Sequence, residues 1–352
     1  MLIGESVSVL QYFRNLAVLL HSVKEQFLSD VAAACEGMDA ILYSLLGAVA
    51  WHVAEKLNIP CFRVFFYPAD PTGEFPAMTA PELPLGPVYN RFTYLCGDLL
   101  WTRATRKLLG AWREEMGLAS IRPFSFPYRS MQGKPIPTLY AYSPVVAPKP
   151  LSWDGNQYLT GYWVHHPETD WGPDQSLIDF LNAGRKPLYI GFGSVTGGDF
   201  ADILEIVLES LRITRQRAVL SAGWGRLQGQ NLPEFIYPSG YVPHEWLFQH
   251  VSVAVHHGGA GTTAAGLRAG LPSIIVPFGG DQPYWGSRIY QLGAGPKPIP
   301  RTKLSVGRLA AAISQAVGNQ EMLVNAGRIG EQLRNEDGVG NAVGVIEQWI
   351  KK

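Results

Sequence analysis

Val251 to Leu292 reads VSVAVHHGGAGTTAAGLRAGLPSIIVPFGGDQPYWGSRIYQL. Val251–Val255 is the short apolar run of a buried strand, His256–Gly261 is a glycine-rich turn, and from Thr262 the composition favours helix. A strand that enters a helix through glycine leaves the first helical N–H groups without intrahelical partners and without Cβ atoms in front of them. With the positive end of the helix dipole behind it, such a terminus suits an anion, a phosphate above all. The other reading of the turn is that it merely closes a βα unit. A second strand, Ser273–Pro277, ends on Gly279-Gly280-Asp281-Gln282. Open parallel sheets bind ligands at the carboxyl ends of their strands, so both clusters are expected to line one crevice. The glycine turn would face a diphosphate, and the acid and amide would face sugar hydroxyls.

The chain around this stretch has 352 residues, room for two domains with separate cores. Lys plus Arg equals Asp plus Glu at 29 each, which gives no electrostatic case for nucleic acid. Cys35, Cys61 and Cys96 are scattered in apolar contexts without metal-site spacing and read as reduced core residues, the usage of a cytoplasmic protein. No apolar run is long enough to span a bilayer, and the first residues lack a signal peptide's layout, so any membrane contact would be peripheral.

Toward the N-terminus, Asn15–Cys35 carries a helical apolar stripe, Met38–Leu45 reads as a strand, Ala48–Leu57 as a helix and Cys61–Phe66 as a strand. That alternation predicts a doubly wound parallel sheet. The proline-rich segment YPADPTGEFPAMTAPELPLGP, Tyr67–Pro87, interrupts it, and long ordered loops of this kind tend to be functional. Asn90–Met116 reads as one or two helices rich in Leu and aromatics, either a core face or an apolar wall for a lipophilic ligand together with Phe65, Phe66, Tyr67 and Phe75. Pro137–Tyr142 and Gln157–Trp163 read as short strands, and the polar, aperiodic Val164–Pro173 as a linker whose His165 and His166 are solvated.

Domains are therefore expected at 1–163 and 174–352, joined by 164–173. The second holds a helix at Gln175–Asn182, strands at Pro187–Gly191, Arg217–Ala222 and Phe235–Val242, and a turn at Phe192-Gly193-Ser194 into a helix at Asp199–Thr214. Ser305 is placed to cap a later helix, with Leu304 and Leu309 as its hydrophobic staple, and Asn341–Ile350 forms a closing helix.

HHGGAGTT (His256–Thr263), LRAGLP, PFGGDQPYWG and LGAGP resemble the donor-binding signature of the family 1 glycosyltransferases, nearest to their bacterial and fungal sterol-glucosyltransferase branch. The resemblance implies the GT-B architecture, two facing Rossmann-like domains, with the closing helix returning to the first. It implies inverting transfer of glucose from UDP-glucose or a similar nucleotide sugar to a hydroxyl of a sterol or other lipophilic acceptor. It also carries roles to particular residues. His257 matches the phosphate-binding histidine, and Gly259, Ala260, Gly261, Thr262 and Thr263 match the turn around the diphosphate. Gly193 and Ser194 stand at the distal phosphate. Tyr241 takes the place of a tryptophan that stacks on uracil, with Val242 beside the base. Asp281 and Gln282 hold the sugar, and Phe65, Tyr67 and Phe75 fall in the acceptor region. Asp281 and Ser194 would serve equally as helix caps, and Tyr241 as strand packing. His256 reads as structural.

No metal or other cofactor is implied, since the chain lacks the Asp-x-Asp pair of metal-dependent sugar transferases. Family members open on a strand, a glycine turn and a general-base histidine, for which this sequence has no counterpart. His21 and His52, the only histidines before the linker, both fall within helices. The first domain is therefore expected to be incomplete by roughly two or three βα steps of ~30 residues each. Two alternatives remain at this stage: a transferase for a polyketide or peptide product, and a nucleotide-sugar-binding remnant without its base.

Overall fold

A computed structural model describes residues 25–153, 155–164, 171–193, 200–221 and 232–351. The chain divides into two compact units. One runs to Pro144 and takes in Pro148–Trp163 and everything from Asp337; the other is Val145–Ala147 with Val164–Glu336.

The first unit begins with helix α1 (residues 25–35) and strand β1 (Ile41–Tyr43), followed by α2 (Val49–Leu57) and β2 (Cys61–Phe65). Helix α2 stops where Asn58 adopts the left-handed conformation (φ 54°), with Pro60 two residues beyond. Next comes α3 (Gly86–Glu115), a single helix of 30 residues with Pro87 in its first turn, ended by Gly117 at φ 73°. A small antiparallel hairpin, β3 (Ser130–Met131) and β4 (Lys134–Pro135), precedes β5 (Thr138–Tyr140) and β6 (Gln157–Leu159). The main sheet is parallel in the order β1-β2-β5-β6. Strand β2 is buried at every position, as an inner strand of a parallel sheet is on both faces.

The second unit contains α4 (Gln175–Asn182), β7 (Leu188–Gly191), α5 (Phe200–Thr214), β8 (Ala218–Ser221), β9 (Ile236–Ser239) and α6 (His244–Leu247). It continues through β10 (Ala254–His256), α7 (Ala260–Arg268), β11 (Ser273–Ile275), α8 (Gln282–Gln291), α9 (Val306–Gly318) and α10 (Gln320–Arg334). All five strands are parallel, in the order β11-β10-β7-β8-β9. Side-chain alternation splits the core. Leu188, Ile190, Val253 and Val255 pack with Val207 and Leu211 of α5 and Leu309 and Ile313 of α9. Tyr189, Val219 and Ala254 point the other way, onto Leu177 of α4 and Leu247 of α6. Helices thus cover both faces.

Helix α11 (Gly338–Ile350) belongs to the first unit. Its Val345, Ile346 and Trp349 pack on Phe62, Val64 and Leu139, and Asn341 Nδ2 donates to the Thr160 carbonyl at 3.0 Å.

Several boundaries differ from the sequence expectation. Helix α7 begins at Ala260, because Gly259 stands at its N-cap and Thr263 N already donates to the Gly259 carbonyl at 2.9 Å. Ala260 and Gly261 are therefore first-turn helical residues, and the turn itself is His257–Gly259. Strand β9 ends at Ser239, so Tyr241 and Val242 have left the sheet. Ser305 occupies the N-cap of α9 without a side-chain capping bond, while Leu304 and Leu309 pack in one cluster as a staple requires.

Candidate functional site

The order β11-β10-β7-β8-β9 reverses at β7: later strands add on one side as far as β9, then β10 returns to pair with the other side of β7. In open α/β sheets such a switch point opens a crevice beyond the carboxyl ends of the two strands, where ligands bind. Here those ends are Phe192-Gly193 after β7 and His257-Gly258-Gly259 after β10. The His257 ring lies against both glycines. A Cβ on Gly193 would stand 3.3 Å from its Cε1, and one on Gly259 only 2.5 Å from its Nε2. Gly258 makes the bend, at φ 90°, where a Cβ would meet Ile275 Cγ2 at 2.7 Å. The sequence set these glycines far apart, and the fold packs them on one imidazole.

His256 and His257 have different surroundings. His256 is fully buried, and its Nδ1 accepts from Gly258 N at 3.1 Å, which leaves the ring proton on Nε2. Burial, then the charges of His257 and His244, hold it neutral. It shapes the turn from beneath. His257 is half-buried; burial lowers its pKa and a hydrogen bond to the Gly191 carbonyl opposes that. Beyond it, the N–H groups of Ala260, Gly261 and Thr262 open the helix dipole of α7 toward the crevice. Two bonds fix the other end of α7: Arg268 Nη1 to the Leu333 carbonyl (2.9 Å) and Arg334 Nη1 to the Arg268 carbonyl (2.6 Å).

Thr263 departs from the sequence expectation. Its side chain is fully buried and its Oγ1 has no hydrogen-bond partner among the described residues, so it faces the interior, one residue past the exposed part of the turn. Thr262 is half-exposed. Ser194 lies outside the described residues, as do His21, His165 and His166.

On the far side of β10, Asp281 stands at the N-cap of α8 without capping it; its Oδ2 accepts from Trp285 Nε1 at 2.9 Å. Burial raises its pKa, opposed by the Trp285 bond. Gln282 Oε1 accepts from Phe278 N (2.7 Å) and Gly279 N (3.2 Å), which fixes the amide and leaves its NH₂ to donate. On the β8 and β9 side, Tyr189 OH meets His244 Nε2 at 2.9 Å and is also bonded by Ser221. Burial, then the charge of His257, brings His244 down to about 4. This cluster was missed in the sequence because its members lie on β7, β8 and α6. Tyr241, just past β9, is 83% exposed and is not packed as a strand residue.

In the first unit the aromatic segment is sorted by the sheet. Phe65, expected at a ligand wall, is 7% exposed and covered by Arg63 (5.0 Å to the ring centroid) and Tyr140. Its neighbour Phe66 turns outward, while Tyr67 and Phe75 are half-buried. Sequence reasoning also missed a charged hub. Asp70 Oδ1 accepts from Arg63 Nη1 (2.7 Å) and Arg129 Nη1 (2.9 Å), and its Oδ2 accepts from Tyr140 OH (2.9 Å). Burial raises Asp70, but the two guanidinium groups override it and hold the carboxyl below its ordinary range. His52 is buried, with Nδ1 at 2.7 Å from Arg113 Nη1 and Nε2 at 3.2 Å from Tyr128 OH; burial and Arg113 bring its pKa down to about 3.

Residues 219–338 match the family model for the erythromycin biosynthesis protein CIII-like C-terminal domain. The glycotransferase of kitacinnamycin superposes with a TM-score of 0.68 at 19% identity, covering 99% of this chain and 84% of that one. Spinosyn rhamnosyltransferase SpnG complexed with thymidine diphosphate superposes with a TM-score of 0.61 at 14% identity, covering 96% and 81%. The chain has the GT-B fold of these glycosyltransferases, and its residues 219–338 resemble the C-terminal domain that the family model describes. In sequence it is similar to the sterol 3-beta-glucosyltransferases of Neosartorya fischeri and Aspergillus fumigatus, each 38% identical over 336 residues, or 92% of this chain. It spans 23% of the length of those two relatives.

Proposed function

We propose that the second unit binds UDP-glucose and that the protein transfers the glucose, with inversion, to a hydroxyl of a sterol or similar lipophilic alcohol. The observation that carries this is the sequence of features along the strand ends. Asp281 and Gln282 follow β11, the His257 turn and α7 follow β10, Gly193 follows β7, and Tyr241 follows β9. Read across the sheet, that is a sugar site, a diphosphate site and a base site in the order in which a nucleotide sugar is bonded together. From β10 to β9 is three strand spacings, ~14 Å, on the scale of a nucleoside diphosphate.

The acceptor oxygen attacks sugar C1 from the face opposite the leaving group. The bond from C1 to the diphosphate breaks, UDP departs with the electron pair, and the hydroxyl proton is lost. Negative charge grows on the diphosphate as that bond lengthens, where preorganised donors are worth most. The N–H groups that open α7, with His257, supply them, and the reading calls on no metal. Phe66, Tyr67 and Phe75 are the proposed acceptor contacts. His52 is committed to Arg113 and Tyr128 and is not assigned as the base. The names of the sterol glucosyltransferase relatives favour glucose and sterol, and the thymidine diphosphate complex of a structural neighbour favours a nucleoside diphosphate. Work in the cytoplasm, peripheral to membranes, fits a lipophilic acceptor; among the described residues no helix is long and apolar enough to cross a membrane.

The test is incubation of the chain with UDP-glucose and ergosterol or cholesterol, scoring UDP release and glycosylated product, with UDP titrated in parallel. Product formation is expected, and His257→Ala should weaken UDP binding by about 1.5–3 kcal/mol. UDP binding without product would make the chain a binding module, and unchanged UDP affinity in the variant would remove His257 from the diphosphate.

A further inference from the structure

Helix α3 carries a surface that the donor site does not use. Val88 is 82% exposed, Phe92 57% and Leu95 41%, and Leu85, just before the helix, is 62% exposed. At ~100° per residue, Val88, Phe92, Leu95 and the half-buried Leu99 share one arc, and the exposed Arg103 and Arg106 continue it within about 80° in all. Lys107, also exposed, lies beside them. The opposite face is the packed one, with Asn90, Tyr94 and Thr105 buried, and the buried Thr102 and Leu109 bound the exposed arc on one side. The acidic Asp98 is turned away to Arg129 (2.6 Å), and Glu114 and Glu115 wait until the last turn.

One face of a long helix is thus apolar along its first half, for about 17 Å, and purely basic along the next turn. Scattered exposed apolar residues are ordinary, but a row of large ones in register marks an interaction surface. The cations select the partner. The chain as a whole is neutral, so this is a local concentration of charge. Apolar side chains that sink to the acyl boundary beside cations at phosphate level are what an interfacial helix presents to an anionic membrane. Tyr89 OH bonds the Pro81 carbonyl at 2.8 Å, which ties the segment containing Leu83 and Leu85 to the first turn and widens the apolar end.

We propose that this face of α3 docks the protein on an anionic lipid bilayer, with Leu85, Val88, Phe92 and Leu95 entering the interface and Arg103, Arg106 and Lys107 at the headgroups. The proposal stands on α3 alone and does not depend on the donor site. The full chain is sedimented with vesicles of phosphatidylcholine, or of phosphatidylcholine with phosphatidylserine, at low and high salt. Binding is expected to need phosphatidylserine and to weaken as salt screens the charges. Substituting Arg103, Arg106 and Lys107 together by Gln should lower the partition coefficient on the order of 100-fold. Val88→Ser with Phe92→Ser should lower it by roughly tenfold or more. Circular dichroism and UDP titration report whether each variant is folded. Equal sedimentation with both kinds of vesicle, or folded variants that bind as the wild type does, would overturn the proposal. So would light scattering that shows a dimer dispersed by Phe92→Ser with no vesicle binding, since the face would then be a protein interface.

Discussion

Gly258 and Gly259 are adjacent glycines doing different things, and substitution separates them. Gly258 sits at φ 90°, and a Cβ there would meet Ile275 Cγ2 at 2.7 Å and the Gln282 carbonyl oxygen at 3.0 Å, so Gly258→Ala strains the backbone and the packing together. That variant should lose about 1–3 kcal/mol of stability. Gly259 has the extended conformation of an N-cap (φ −60°, ψ 144°), open to alanine, and its one close conflict is with His257 Nε2 at 2.5 Å. Gly259→Ala should therefore leave the melting temperature within about 2–4 °C of wild type, the span of ~1 kcal/mol for a unit of this size, while weakening UDP binding roughly tenfold as the imidazole is displaced. Calorimetry and UDP titration on both variants check this. Wild-type UDP affinity in Gly259→Ala would mean that the ring position does not matter to the ligand. The motif alone left two neighbouring histidines to choose between by resemblance; it is burial that puts His256 beneath the turn and His257 at its mouth.

At the scale of elements, the proline-rich run from Tyr67 onward is fixed rather than loose. Tyr140 OH accepts from Asp70 N at 2.9 Å, Asn90 Nδ2 donates to the Gly73 carbonyl at 2.9 Å, Ala77 N donates to Thr93 Oγ1 at 2.8 Å, and Ser152 Oγ donates to the buried Thr72 Oγ1 at 3.2 Å. Asp70 is the centre of this clamp. Removing its carboxylate leaves Arg63 buried, with Thr138 Oγ1 at 3.0 Å but without its counter-ion. Asp70→Ala should cost about 3–5 kcal/mol in urea unfolding, the range for breaking a buried pair from one side. A loss under ~1 kcal/mol, the scale of an exposed ion pair, would show that water reaches Arg63. The sequence marks this run as a long ordered loop because proline excludes regular structure, but it gives no sign of the clamp. Arg129 and Tyr140 lie 59 and 70 residues from Asp70 along the chain, Arg63 only seven but on the preceding strand, and no local pattern encodes such pairing.

For the molecule as a whole, several histidines are held neutral by burial: His52 at about 3, His244 at about 4 and His256 far below its ordinary value. The unfolded chain takes up these protons near the ordinary histidine pKa of about 6.5, before the folded chain does. Between about 6.5 and 4 the unfolded state therefore binds more protons, and stability falls as pH falls, by up to about 1.4 kcal/mol per pH unit for each such group. Asp70 acts in the same direction lower down. Its folded pKa is depressed, so its contribution is present above the ordinary carboxylate range and is lost on acidification through it. Urea midpoints should drop steadily from pH 7 to 4, and His52→Gln should flatten that slope in the first unit; a flat wild-type profile would contradict the burial of these rings.

The sequence by itself determined that strands and helices alternate, that the sheets are parallel, that a glycine turn opens α7 and that the segment after Phe65 is irregular. These follow from local periodicity and from the backbone freedom of particular residues. Only the tertiary structure decided the strand order. The return of β10 to the side of β7 creates the crevice and sets Gly193 against His257; in the first unit the pairing of β2 with β5 brings Tyr140 to Phe65, which is buried, and Tyr241 is left outside where β9 ends at Ser239. Which strand pairs with which depends on apolar faces meeting across long stretches of chain, and the period-two pattern within one strand is the same whichever neighbour it finds.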